Sequence, residues 1–315
     1  MARTKRKTKK KTLKQKTSIA AAVVSVAIIV LSALADMTGL LSYEEMMTSL
    51  HLMNSAVSDA DLTVHYIDVG QGDSILIMSK GENVLIDAGE NEYAESVASY
   101  IKQQGITTLD YIIATHPHSD HIGGLPYVMS QFKTENVIIP YISSDKTPST
   151  VTYTRFLESV RDNGLSLTAA TPGDEYTIGD AVMKVLGPCS DNYEDLNDYS
   201  VVVSLTHGNN SFLFMGDAEK KSEQDMIDAG IIPDSDILKA GHHGSNSSSG
   251  QKFLDIVTPE YAVISCGVGN RYNHPGTGTV ERLALFTDKI FRTDQQGTIV
   301  IESDGENYNA ITKER

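Results

Sequence analysis

The run Thr115-His-Pro-His-Ser-Asp-His-Ile-Gly-Gly124 constrains this chain more than any other stretch, because it sets three imidazoles, a carboxylate and two glycines directly behind an apolar segment. Asp110-Tyr-Ile-Ile-Ala-Thr115 reads as a short strand, and Pro117 keeps His116 out of the helical region, so a loop begins at the strand end. In extended backbone His116 and His118 point to one side, while Asp120 and His121 fall in the turn that opens the next helix. Two ligand pairs result. Imidazole nitrogens with a carboxylate suit Zn²⁺ and, less selectively, Mn²⁺ or Fe, and Gly123-Gly124 let the backbone fold tightly beneath the ions. A lone histidine on an apolar face is more often structural, but three with an aspartate at this spacing argue for a metal site.

His116-Pro-His118-Ser-Asp120-His121 matches the H-x-H-x-D-H signature of the metallo-β-lactamase fold superfamily. Further blocks are His65-Tyr-Ile-Asp68-Val-Gly-Gln-Gly-Asp73-Ser74, Leu85-Ile-Asp87-Ala-Gly89, Asn197-Asp-Tyr-Ser200, Phe214-Met-Gly-Asp217-Ala-Glu219, Leu238-Lys-Ala-Gly-His242-His243-Gly-Ser245 and Asn270-Arg-Tyr-Asn-His274-Pro275. In these the chain resembles the hydrolase domain of ComEC-type DNA-uptake (competence) proteins and their stand-alone relatives. The resemblance runs from about residue 61 to the C-terminus. It implies an α/β fold of two packed sheets with helices outside, the four-layer αββα sandwich, preceded here by an N-terminal membrane-targeting helix.

Charge divides the chain unevenly. Residues 1–16 hold nine Lys or Arg and no acid, which leaves the other 17 basic residues against 41 acidic ones, a net of −24. A domain so acidic lacks the basic footprint of a tight, sequence-blind polyanion binder, although two divalent ions would offset charge locally. The basic tip of residues 1–17 abuts a largely apolar stretch at 18–36, which reads as a signal anchor or signal peptide. The positive-inside rule leaves the tip in the cytoplasm of a bacterial cell, with the catalytic domain extracellular at the membrane or secreted. Ala33-Leu-Ala35 resembles a cleavage site, residues 37–60 read as a linker in which His51 is a surface histidine, and 61–315 form the domain. Cys189 and Cys266 lie far apart without C-x-x-C spacing, so neither a zinc ribbon nor a disulfide framework is indicated.

Strand patterns fall at Leu62–Val69, Ser74–Met78, Asn83–Asp87, Tyr111–Thr115 and Val137–Pro140, then at Ala181–Leu186, Val201–Leu205, Ser211–Met215, Ile237–Ala240 and Ala262–Ser265. Helical spacing marks Tyr93–Gln104, Arg155–Asn163, Glu219–Ala229 and Thr279–Phe286. His207-Gly-Asn-Asn210 separates two strands and predicts a hairpin, with Asp217 beside Ser200 and His207 at the far end, roughly 20 Å away. His207 is therefore a poor ligand. Mid-strand His65 reads as structural.

By resemblance, one ion takes His116, His118 and Asp217, and the other takes Asp120, His121, Asp217 and His243. A hydroxide held between them is the implied nucleophile, with Zn²⁺ the first choice and Mn²⁺ the second. Many superfamily members carry a histidine where this chain has Asn197-Asp198-Tyr-Ser200, so water, Asp198 or Asn197 would complete the first ion's shell, leaving a position open for catalysis. Asp217 also reads as a helix N-cap for a segment beginning at Ala218. Adjacent extended residues face opposite ways, so only one of His242 and His243 is expected to reach the ions. His243 is taken as that ligand, His242 as a phosphate-contacting or proton-donating neighbour and His274 as a general acid. Asp73 and Asp87 are expected to orient ligands from behind, Asp87 alternatively as a turn carboxylate. The expected function is hydrolysis of a phosphodiester, DNA or another, with a carbonyl substrate (lactam, lactone or thioester) or a non-catalytic membrane-tethered binding module as alternatives.

Overall fold

The computed structural model describes residues 60–312. The expected tip, membrane-targeting helix and nearly all of the linker lie outside them, and among the described residues no helix is long and apolar enough to cross a membrane.

Short apolar runs, most of them buried on both faces, build two sheets. The first has eight strands in the order Tyr308–Ile311, Ile299–Ser303, Leu62–Tyr66, Ile75–Ser79, Glu82–Ile86, Thr108–Ile113, Lys133–Ile139 and Leu167–Ala169. The second has seven, in the order Ile290–Arg292, Tyr261–Ile264, Ile237–Lys239, Asn210–Phe214, Val202–His207, Ala181–Gly187 and Glu175–Ile178. Period-two alternation sorts side chains between faces: Val64, Ile77, Val84, Val203, Phe212 and Phe214 fill the space between the sheets. Leu76 and Leu85 point outward beneath the helices Ala94–Gln103, Leu125–Gln131 and Val151–Asp162. On the other flank Leu213 and Leu238 meet Met226, Phe253, Leu254 and Leu283 of the helices Lys220–Ala229, Gln251–Val257 and Thr277–Leu283. Three cores separate four layers, so the expected αββα sandwich is the fold.

Most expected elements shift by a few residues at an end. The strand expected to reach Val69 stops at Tyr66, where Ile67 turns to donate its N–H to the Ser74 carbonyl (2.8 Å). The helix expected from Arg155 begins at Val151, because the Thr150 hydroxyl caps it by accepting the Tyr153 N–H (3.2 Å). Asp217 is not the N-cap expected of it. Its helix starts at Lys220, and Asp198 Oδ1 accepts the Glu219 and Ser222 N–H groups (both 3.1 Å). The hairpin pairs Phe214 with Val203 and Asn210 with His207, which puts Asp217 at the end near Ser200 and His207 at the other.

Candidate metal centre

Every site-bearing loop leaves a strand at one edge of the sandwich. After Ile113, the backbone through Thr115 is pinned by Asp87, whose Oδ1 accepts the Thr115 N–H (2.9 Å) and whose Oδ2 accepts the Thr115 hydroxyl (2.6 Å). The same Oδ2 accepts from His121 Nδ1 at 2.7 Å, which turns His121 Nε2 toward His243 and Asp217. Asp87 thus lies behind the histidines, a connected buried group with φ +57° and not simply a turn carboxylate. His243 is fixed in the same manner, its Nδ1 donating to the Ser265 carbonyl at 3.0 Å.

Four donors then converge. His121 Nε2 stands 3.3 Å from both His243 Nε2 and Asp217 Oδ1, and His243 Nε2 stands 3.4 Å from both Asp120 Oδ2 and Asp217 Oδ2. Two ligands of one tetrahedral ion, each about 2.0–2.1 Å from it, lie about 3.3–3.4 Å apart, so each of these four separations suits donors to a common divalent cation. Beside it, His116 Nε2 is 3.0 Å from His118 Nδ1 and 3.9 Å from Asp217 Oδ2. Asp217 is shared by both groups, its N–H held by the Ser200 hydroxyl at 3.0 Å.

Asp73 also comes near, since ligand-type atoms of Asp73, His121, Asp217 and His243 all lie within 4.8 Å of one another. It approaches the wrong nitrogens, though, with Oδ1 3.4 Å from His243 Nδ1 and Oδ2 4.0 Å from His121 Nδ1. Asp73 is besides engaged by Lys239, which has no exposed side-chain surface and donates to the Gly216 carbonyl as well (2.9 Å). We therefore place Asp73 behind the ligands and Asp120 in the cage.

The electrostatics fit cations. Burial alone would lower His121 and His243, yet Asp217 and the neighbouring carboxylates hold both well above the ordinary imidazole value. Burial would likewise raise Asp217 and Asp120, and the facing imidazoles hold both below the usual carboxylate range. Protons there occupy the role that divalent ions take over, and the buried donor set of imidazoles and carboxylates fits such ions. His116, by contrast, is pushed well below its ordinary value by burial and by His121, so its nitrogen is free to ligate.

His243 joins the group of buried donors, as expected, but the premise by which it was preferred to His242 does not hold. Their backbone is left-handed at both residues, not extended, and His242 Nε2 also approaches Asp217 Oδ2, at 3.7 Å. His242 Nδ1 pairs with Glu219 Oε1 at 2.8 Å, a partner the sequence reading missed although Glu219 stands two residues after Asp217. Lys239 was missed too, its signal being a lysine within the apolar run Ile237-Leu-Lys-Ala240. Asn197 lines the cleft with its Nδ2 3.5 Å from His242 Nδ1. His274 lines the same cleft, its ring 5.2 Å from that of His242, and burial with the charges of His242 and His243 pushes its pKa down to about 4. His65 bonds Tyr100 (2.8 Å) and Thr63 (2.9 Å) within the first sheet, and His207 bonds Ser303 (2.7 Å) at the remote hairpin end, so neither joins the centre.

Two sheets in four layers with a His/Asp centre at one sandwich edge define a metal-dependent hydrolase fold. A model of the metallo-beta-lactamase superfamily matches residues 67–268, and the chain belongs to that superfamily. It is 32% identical over 256 residues to ComE operon protein 3 of Bacillus subtilis, covering 75% of this chain and 32% of that protein. It is 28% identical over 257 residues to Competence protein ComA of Neisseria gonorrhoeae, covering 78% and 33%. The matched region therefore spans about a third of the length of these relatives. A crystal structure of CmlA, a diiron beta-hydroxylase from Streptomyces venezuelae, shares the fold at 12% identity with a TM-score of 0.52, over 78% of this chain and 55% of that one.

Proposed function

We propose that this protein is a two-cation phosphodiesterase that cleaves DNA or another nucleic acid strand outside the membrane. The observation that carries the reading is that the His/Asp centre floors an open cleft of about 370 Å³, which adjoins a second of about 630 Å³, with Gln71, Asp120 and Tyr272 lining both. A trough that continues past the reacting groups suits a polymer better than a small ring. A competence protein among the relatives above agrees with the resemblance to DNA-uptake hydrolase domains, and the basic tip followed by apolar residues agrees with an exported domain.

Asp120, His121, His243 and Asp217 would hold one ion, and His116, His118 and Asp217 the other. When bound, two divalent ions supply Lewis acidity and a water of lowered pKa at neutral pH. The chain's own residues then position the reaction. Asp87 and the Ser265 carbonyl fix the His121 and His243 tautomers, and Asp217 keeps both donor groups in register. Hydrolysis joins a water oxygen to phosphorus and returns a proton to the leaving oxygen, toward which His274, neutral near pH 7, offers a hydrogen bond from the cleft wall. Asp68, Glu90 and Glu92 line the outer cleft beside Arg271, so the strand would be gripped at the reacting phosphate more than along its backbone.

The test is chelator-sensitive cleavage of plasmid DNA and bis-p-nitrophenyl phosphate by the full chain refilled with Zn²⁺ or Mn²⁺. Turnover of nitrocefin or an acyl-homoserine lactone with phosphodiesters untouched would establish a carbonyl hydrolase instead. Full metal occupancy without any turnover would leave a binding module.

A further inference from the structure

The turn after Ile237–Lys239 holds two consecutive residues with side chains in left-handed backbone, His242 at φ/ψ +46°/+49° and His243 at +53°/+28°. Left-handed backbone is unfavourable for a residue with a side chain, and a pair persists only where its surroundings impose it. Here the His242 N–H donates to the Gly216 carbonyl (3.1 Å), the Ser245 N–H donates to the His242 carbonyl (2.8 Å), and the Ser248 hydroxyl donates to the Gly241 carbonyl (2.6 Å). The consequence is that adjacent imidazoles face one carboxylate oxygen, His243 Nε2 at 3.4 Å and His242 Nε2 at 3.7 Å from Asp217 Oδ2.

His242 also has the orientation of a ligand. Its Nδ1 meets Glu219 Oε1 at 2.8 Å, and Glu219 is itself held by the Ser247 hydroxyl at 2.7 Å. A proton on Nδ1 leaves the Nε2 lone pair aimed at Asp217, the relation that Asp87 imposes on His121. His116 Nε2 faces the same Asp217 oxygen, at 3.9 Å, with His118 beside it. Of the groups expected to fill the place of the missing histidine, Asp198 is engaged elsewhere and Asn197 sets its Nδ2 3.5 Å from His242 Nδ1. Ser200 Oγ accepts from the Asp217 N–H and lies 3.4 Å from His116 Nδ1, while Asp198 Oδ1 caps the helix after Glu219.

We propose that His242, held by Glu219, is a ligand of the first cation alongside His116, His118 and Asp217, replacing the histidine that the strand beginning at Val202 lacks before it. The tandem left-handed turn is then the device that lets one dipeptide serve both ions. The assignment rests on the two-cation reading above.

The experiment titrates the metal-free full chain with Zn²⁺ against a chromophoric chelator, and with Co²⁺ followed by its ligand-field spectrum, for wild type, His242→Ala and Glu219→Gln. Wild type should take up two ions. His242→Ala should keep one ion at wild-type affinity and lose the other by more than about 100-fold, with an altered Co²⁺ spectrum for that ion only. Glu219→Gln, which keeps the shape and disturbs the turn least, should weaken the same ion by about 10–100-fold. Two ions at wild-type affinity in both variants would overturn the assignment and leave His242 a substrate contact. A wild type that binds a single ion would overturn the two-cation reading and the assignment together.

Discussion

Lys239 reaches beneath the paired imidazoles to the carboxylate of Asp73, and neither side chain has more than 1% of its surface exposed. The same ammonium donates to the Gly216 carbonyl, one residue before Asp217, while the Asp73 N–H donates to the Asp120 carbonyl (3.1 Å). One buried cation thus ties together the segments that carry two ligands. Removing a single partner of a buried pair strands the other charge, at a cost of about 3–5 kcal/mol. Lys239→Met should therefore lose stability on that order in chemical denaturation, and Asp73→Asn in the same chain should recover part of the loss. Equal losses in the single and double variants would show that the pair does not act as a unit.

Gly72 sits at φ +144°, and a Cβ there would lie 2.3 Å from the Asp120 carbonyl oxygen. The contact is with backbone and cannot be relieved by a rotamer change. Gly72→Ala should push the Asp120 turn outward, break its bond to the Asp73 N–H, and weaken the ion held by Asp120 and His243 about tenfold or more. Metal titration at constant far-ultraviolet circular dichroism separates that effect from unfolding.

The four layers were legible because short continuous apolar runs such as Asn83–Asp87 and Ser211–Met215, bounded by turn residues, read as strands buried on both faces and differ plainly from the longer helical spacing. The hairpin register, and with it the exclusion of His207, followed from one turn. What escaped depends on distant or non-standard backbone. Ile299–Ser303 pairs with Leu62–Tyr66 across more than 200 residues, a neighbour no local pattern specifies. The approach of His242 to Asp217 escaped because alternation holds only for extended chain, and no residue type at 242–243 announces two left-handed positions.

Without ions the centre carries a pH signature of definite sign. Its imidazoles, His121 and His243, are raised above 6.5, so their stabilisation is complete below that pH and lost as pH rises through the folded value. Asp217 is depressed below 3.8, so its stabilisation is complete above that pH and lost as pH falls. Thermal melts from about pH 6 to about pH 9 should show the chelated protein weakening on the alkaline side and Zn²⁺ removing most of that slope. Identical slopes with and without metal would contradict it.

Asp120→Asn keeps the shape but removes a charge 3.4 Å from His243 Nε2. Turnover should fall by more than about 100-fold, with loss of one ion. His207→Ala removes the 2.7 Å bond to Ser303 and a buried ring at the remote hairpin end, so activity should stay within about twofold while stability drops by about 1 kcal/mol or more. An inactive but folded His207→Ala protein would refute the division between the two ends.

Glu223 is buried behind the loop that follows His243, where its carboxylate accepts the backbone N–H groups of Ser249 and Gly250. Burial pushes its pKa from 4.5 up to about 7, against the lowering pull of those two bonds and of Lys220 and Arg282. The folded state therefore binds its proton more tightly than the unfolded chain. The stabilisation is complete below about pH 4.5 and is lost as pH rises through about 7, a swing of roughly 3 kcal/mol. Glu223→Gln cannot titrate, although its single oxygen can accept only one of the two N–H groups that now bond separate carboxylate oxygens, so it should start less stable and lack that decline. Denaturation midpoints of both proteins at about pH 5 and about pH 8, each loaded with the same metal, check the difference. Parallel changes in the two would mean that Glu223 is ionised throughout and that the two N–H bonds outweigh its burial.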